Sequence, residues 1–289
     1  MLTEIESKMK SIANMMITDG SVTCVLAWRS GELPAYPEPS FFYDTNSLEK
    51  LTYNRYCSTN LSKFLIETGK EPGVTLVFLR PCDSFSCNML IKSNQVNRED
   101  IYIVGVGCEG CVKVDEGAAI GNLDVCETCT KHNHAIFDEL LCSDYHPRVV
   151  TDKTERFKGV AFIENMESSE RYSFWKSRLS KCIRCNACRN ICPICHCIDC
   201  VFDSTKFDSR QKVNISSFEE QQFHIIRAYH VAGRCTDCGR CQSACPTGIP
   251  LNLLNRKLIK DINSMYGEFQ AGEDIETPSP LTNYDLQRD

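Results

Sequence analysis

Eight of the chain's twenty cysteines fall into two runs of one pattern, C-x2-C-x2-C-x3-C-P. They are Cys182, Cys185, Cys188 and Cys192-Pro193, then Cys235, Cys238, Cys241 and Cys245-Pro246. Three thiols at that spacing wrap a loop around one iron–sulfur cubane, and in two-cluster proteins the fourth thiol serves the other cluster. The spacing therefore assigns Cys182, Cys185, Cys188 and Cys245 to one [4Fe-4S] cluster. It assigns Cys235, Cys238, Cys241 and Cys192 to a second. The proline after each fourth cysteine keeps a helix from running through the crossing point. Zinc is the competing chemistry, but it needs only four ligands, often as two C-x2-C pairs, and two complete runs exceed that. It leaves a zinc-stabilised interaction module as one alternative function.

Three surplus thiols, Cys195, Cys197 and Cys200, follow Pro193. Three roles compete for them: packing near the clusters, ligands to an additional metal site, or a redox-active pair.

A third set of thiols lies nearer the N-terminus. Val74–Leu79 reads as a buried strand, Phe85–Lys92 as a short helix and Ile101–Val106 as a second strand. Strand–helix–strand is a βαβ unit, so the sheet is expected to be parallel there. Cys82 follows the first strand and Cys108 the second. Parallel strands put both at one carboxyl edge, where such folds bind ligands. Cys126 and Cys129 add a further C-x2-C in "CETCTKHNH". The four thiols can converge on a third [4Fe-4S] cluster or on zinc, with burial as small apolar residues the plain alternative. Cys87 and Cys111 stand close enough in sequence to replace an assigned ligand, and Asp83 reads as a helix N-cap.

Around these residues the elements must be arranged. "MLTEIESKMKSIANMM" has the spacing of an amphipathic helix that stops near Asp19-Gly20. "VTCVLAWRSGELPAY" reads as a hairpin turning at Ser30-Gly31, and "SLEKLTYNRYCSTNLSKFLIET" as a helix. Gly159–Ile163 reads as a strand. Tyr172, Trp175 and Leu179 mark a helix entering the first cysteine run. Ser217 and Glu220 predict a capping box for a helix whose apolar face is Phe218, Ile225, Ile226, Tyr229 and Ala232. Pro250 opens a last helix with Leu254, Leu258, Ile262 and Met265 on one face.

The expected fold class is α+β. An N-terminal α/β domain with a partly parallel sheet spans 1–150, and a linker and helix span 151–180. An all-helical two-cluster ferredoxin domain spans 181–269, and an acidic mobile tail spans 270–289. The chain, 289 residues with net charge −6, has no eighteen-residue apolar stretch, so no membrane span is expected. Its start lacks an apolar h-region, so no signal peptide is read. Cysteines in C-x2-C runs in such a chain point to metal in a reducing, cytoplasmic setting rather than to disulfides. Residues 181–260 carry 12 Lys and Arg against 6 Asp and Glu, while 261–289 carry 1 against 7. Positive charge beside cysteines suits a cofactor built on several thiolates. No aromatic stacking motif accompanies it, so no nucleic-acid partner is expected.

The order of "RPCDSFSC", "VGVGCEGC", "CETCTKHN", "KCIRCNACRNICPICHCIDC" and "FHIIRAYHVAGRCTDCGRCQSACPTGIPLNLLNRKL" resembles the beta-subunit family of deazaflavin-coenzyme (F420) reducing hydrogenases and formate dehydrogenases. The nearer branch has sulfhydrogenase beta and anaerobic sulfite reductase A subunits. The resemblance implies an electron-transfer subunit of an anaerobic redox complex. Its partners would be a hydrogenase, formate dehydrogenase or heterodisulfide-reductase-like assembly, with no catalytic residues of its own. It implies a cluster on Cys82, Cys108, Cys126 and Cys129, and FAD in the α/β domain of some members. A flavin-bearing subunit that itself reduces or oxidises a deazaflavin or NAD(P) is the other alternative. Arg184, Arg189, Arg234 and Arg240 lie between or beside ring ligands, where they either raise cluster potentials and dock an acidic partner or form a solvated basic face.

Overall fold

The computed structural model describes residues 2–70, 73–141, 154–203 and 217–282. The chain divides into two compact units. One comprises Met1–Thr151 with Ala271–Thr277, the other Asp152–Gln270 with Pro278–Asp289.

The first unit is built on a five-stranded sheet. Helix α1 (Leu2–Thr18) precedes strands β1 (Cys24–Arg29), β2 (Glu38–Phe42) and β3 (Thr75–Leu79). Helix α2 (Pro81–Lys92) leads to β4 (Ile101–Gly105). A two-stranded ribbon, β5 (Val112–Asp115) and β6 (Ala118–Asn122), and a single helical turn α3 (Asp124–Glu127) follow, then β7 (Glu139–Leu140). The sheet order is β2-β1-β3-β4-β7. β1 pairs antiparallel with β2, while β1–β3, β3–β4 and β4–β7 are parallel. The βαβ reading thus matches β3, α2 and β4. β1 and β3 are buried at almost every position, as strands covered on both faces must be. α1 covers the core with Ile5, Met9 and Ala13, four residues apart on one face.

Several local expectations give way. β1 ends at Arg29 and pairs with Glu38, so a longer loop replaces the turn at Ser30-Gly31. The stretch 47–68 holds 3-10 turns at Ser47–Lys50 and Leu61–Lys70 instead of one helix. α2 starts at Pro81, with Arg80 as its N-cap, because proline at the first helical position sacrifices no bond. Asp83 is therefore inside the helix. Its carboxylate takes Arg80 Nε at 2.8 Å, and both side chains are buried.

The second unit is helical: α4 (Lys158–Glu164), α5 (Ser168–Leu179), α6 (Ala187–Asn190), α7 (Ser217–His230), α8 (Arg240–Ser243) and α9 (Leu251–Tyr266). The strand read at Gly159–Ile163 is helix α4. Its apolar run is too short for periodicity to separate helix from strand, and Val160 and Ile163, three apart, bury one helical face. Glu167 and Glu170 form a capping box at the start of α5. The side chain of Ser217 lies outside the described residues.

α7 is rotated from its expected face. Phe218, Ile225 and Tyr229 point outward, while Glu220, Phe223, His224, Arg227 and Ala228 are buried. Ile225 and Tyr229 instead wall an open groove of about 770 Å³ with Trp175 and Leu254. In α9 the buried set is Leu251, Asn252, Asn255, Arg256, Ile259 and Ile262, and Met265 is exposed. The chain after 270 is not free along its described length. Ala271 and Ser279 are buried, and Asn88 Nδ2 donates to Gly272 O at 3.0 Å. The acidic residues there, Glu273, Asp274 and Glu276, face solvent, while Ala271, Gly272 and Ser279 are buried. Among the described residues no helix is long and apolar enough to cross a membrane.

Candidate metal centres

The two cysteine runs fold alike. In the first, Arg184 and Asn186 take left-handed φ of 55° and 59°. In the second, Asp237 and Gly239 take 55° and 70° at the same positions. Left-handed residues on both sides of the middle cysteine curl the backbone around a centre, and the short helices α6 and α8 then carry the third cysteine of each run. The curl aims amides at sulfur. Arg184 N donates to Cys182 Sγ at 3.4 Å, and Ile249 N to Cys245 Sγ at 3.4 Å. Asp237 N donates to the Cys235 thiol in the matching position.

The thiols of the two runs lie in one another's electrostatic fields. Cys182, Cys185 and Cys245 all lie in the electrostatic field of Cys188. Cys192 and Cys238 lie in the fields of both Cys235 and Cys241. Each fourth cysteine thus stands with the opposite run. Burial pushes the Cys182, Cys188 and Cys235 thiols up and Cys241 to about 12. Cys192 departs from this: a hydrogen bond from Cys195 holds it down at about 5. Cys195 therefore sits against a ring ligand. Cys197 is exposed and Cys200 half-buried, so the surplus thiols do not share one environment. Among the described residues, no three His, Cys, Asp or Glu side chains gather tightly enough for a single metal ion. A cubane offers a separate iron to each thiol, so its ligands stand further apart than those of one ion.

Buried donors around the rings test whether an anionic cluster suits them. Arg184 Nε and Nη1 and Arg227 Nε are buried with no hydrogen-bond partner. Asn255 Nδ2 donates to Cys241 Sγ at 3.5 Å. Arg184 Nε lies 4.0 Å from the buried Glu220 carboxylate, but neither it nor Arg227 Nε is hydrogen-bonded, and a cluster held by thiolates would supply acceptors. The residues present fit the group. Of the arginines singled out in the sequence, the Arg184 side chain is only 7% exposed and lies 4.6 Å over the Phe223 ring. Arg240 is buried, Arg189 and Arg234 are half-buried, and Arg234 donates to His230 O.

In the first unit, Leu79 pairs with Gly105, and Cys82 and Cys108 each lie three residues further on. The parallel register therefore sets them side by side at the carboxyl edge. Cys111 joins them. Contact with Cys111, then burial, pushes the Cys108 thiol well up. Cys111 N donates to Cys126 Sγ at 3.3 Å, and Gly110 N to Cys108 Sγ at 3.3 Å. Cys129, in contrast, turns its thiol toward Lys131 O at 3.7 Å. Cys87 is buried in the sheet core, and Cys142 lies outside the described residues.

Arg80 is the charge of this site, and sequence reasoning missed it. Fully buried, it donates from Nη1 to Cys111 Sγ at 3.0 Å and from Nη2 to Thr59 O at 2.6 Å, and it stacks 4.9 Å over Trp28. The sequence signal was its place directly before Pro81-Cys82. His224 and Arg227 were missed for another reason: they are polar residues on the inward face of a helix read by its apolar residues, and Glu220, expected in a capping box, is buried beside them with neither carboxylate oxygen hydrogen-bonded.

The family described as a 4Fe-4S dicluster domain matches residues 178–249. The F420-dependent formate dehydrogenase subunit beta of Methanocaldococcus jannaschii is 23% identical, over 95% of this chain and 92% of its own length. The F420-dependent formate dehydrogenase 1 subunit beta of Methanococcus maripaludis is 20% identical, over 92% and 90%. A chain of the F420-reducing [NiFe] hydrogenase complex from Methanosarcina barkeri matches 36% of this chain and 38% of its own, at 16% identity and a TM-score of 0.30. Over 95% of its length, then, the chain is similar to the beta subunit of an F420-dependent formate dehydrogenase, and its residues 178–249 match a 4Fe-4S dicluster domain.

Proposed function

We propose that this chain is an iron–sulfur electron-transfer subunit of a redox complex and that it works in the cytoplasm. The reading is supported most by each fourth cysteine lying in the field of the opposite run: Cys245 with Cys188, and Cys192 with Cys235 and Cys241, while Cys188 also lies in the field of Cys241. Cys182, Cys185, Cys188 and Cys245 would hold one [4Fe-4S] cluster, and Cys235, Cys238, Cys241 and Cys192 the second. The clusters supply one-electron chemistry. The protein's residues bury the rings, donate amides to the thiolates and place cations beside them, and these are the levers that set potential. No acid, base or nucleophile is needed. The sheet-edge thiols Cys82, Cys108 and Cys126, with Cys129 or Cys111, would hold a third [4Fe-4S] cluster. The partners are other subunits of the complex, of the hydrogenase, formate dehydrogenase or heterodisulfide-reductase type.

Metal and flavin analysis of anaerobically purified protein tests the reading. Two ring clusters give about eight iron atoms per chain, and a third gives about twelve. Zinc with little iron sinks the reading in favour of an interaction module. FAD released on denaturation would move the chain toward a subunit that itself reduces a deazaflavin or NAD(P).

A further inference from the structure

The inward face of α7 is polar where a core helix is ordinarily apolar. Glu220, His224 and Arg227, four and then three residues apart, are 0%, 2% and 4% exposed. Arg227 Nη2 donates to Cys188 O at 2.9 Å, at the backbone of a first-ring ligand. The same guanidinium lies in the field of Cys241 and Cys192, both of the second ring, and of Cys195. Its Nε is buried without a hydrogen-bond partner. Two other buried arginine side chains also lie by the cysteine runs. Arg184 lies in the field of Cys182, and Arg256 holds Asp237, which flanks Cys235, at 2.9 Å. Arg227 touches the first run by a hydrogen bond and reaches the second through its field.

We infer that Arg227 is a positioning residue for electron passage between the two rings, its fixed charge holding up the potentials of both clusters together. The inference rests on the crossed-ring reading above. When an electron leaves one cluster for the other, the first is oxidised and the second reduced by one electron, and no proton or bond changes hands. A fixed cation near both runs stabilises the added negative charge on either side. A buried arginine suits this role because it stays charged and its planar fork reaches two acceptors at once.

Arg227→Gln, Arg227→Lys and, as a control for surface charge, Arg178→Gln would be made in the full chain. Each is purified anaerobically, assayed for iron and titrated electrochemically with the two reduced cluster signals followed by EPR. Arg227→Gln is expected to keep its iron and to shift both midpoint potentials negative. Arg227→Lys is expected to shift both the same way by less, since the shorter ammonium loses the Cys188 carbonyl. Arg178→Gln is expected to move neither. Unmoved potentials in Arg227→Gln, or movement of one alone, overturn the inference. So does a control that shifts both potentials as far. If Arg227→Gln loses iron, Arg227→Lys decides. Two clusters with both potentials moved the same way support the inference, while one moved, neither moved or iron lost overturns it. Unmodified protein with fewer than about eight irons per chain sinks the crossed-ring reading itself, whatever the variants do.

Discussion

The thiol site of the first unit and the rings of the second use the same residue and are built by opposite means. Each ring draws three ligands from seven consecutive residues, and its shape is set by left-handed backbone within the run. The sheet-edge site has no such local plan. Cys82 and Cys108 meet because Leu79 pairs with Gly105, and Cys126 arrives through the β5–β6 ribbon. A ring needs one partner cysteine from afar, whereas the sheet-edge site needs the whole sheet. The lesson is one of dependence: ring assembly follows ligand identity, and sheet-edge assembly follows the stability of the fold beneath it.

The sharpest way to break this comparison is Cys192→Ser. Although Cys192 lies in the first run, the crossing predicts loss of the second-run cluster, about four irons per chain, with the first-run cluster's EPR signal kept. Loss of the first-run signal instead means the runs do not cross. Next in size is Asp83→Ala. It strands the buried Arg80 charge beneath the sheet-edge thiols, which costs about 3–5 kcal/mol. Urea unfolding followed at Trp28, with Trp175 replaced by Phe, should show the loss, while Trp175 with Trp28 replaced should not move. Equal shifts at both tryptophans would erase the distinction between the units.

The smallest effect concerns α1. Glu6 accepts from Tyr53 N at 2.8 Å, from Thr52 Oγ1 at 3.1 Å and from Lys10 Nζ at 3.0 Å. Burial pushes its carboxyl up, but those donors outweigh burial and hold it below the ordinary value of 4.5. A folded-state value below the unfolded one contributes stability above pH 4.5, and that contribution is lost as pH falls through the folded value. Glu6→Gln should therefore flatten the acid side of the Trp28 unfolding profile and leave the Trp175 profile alone. A variant with the parent's acid slope at Trp28 removes Glu6 from the account.

What the sequence made legible follows the same division. The likeness of the two cysteine runs could be read because their spacing is local and repeated, and both backbones curl alike. The pairing of Cys82 with Cys108 could be read because a βαβ unit dictates parallel strands. The sequence puts Cys129 ahead of Cys111, but a ribbon and a one-turn helix decide which thiol turns inward, and Cys111 contacts Cys108 while Cys129 turns toward Lys131 O. The rotation of α7 was hidden because its interior borders thiols and wants Glu220, His224 and Arg227, so apolar periodicity pointed to the wrong side. The packing of 271–282 was hidden because its acidic, proline-bearing composition describes side chains, while it is the backbone that docks.

The course of the chain has a consequence in time. The first unit is completed by Ala271–Thr277, and Gly272 lies so close to α2 that a Cβ there would come within 2.0 Å of Phe85 O. Asn88, buried in α2, finds its acceptor in Gly272. Synthesis runs from the N-terminus, and domains generally fold as they emerge. The final piece of the first unit thus leaves the ribosome only after both cysteine runs have done so. Until then the nascent sheet unit waits with one seat on α2 empty, long after its own strands have emerged.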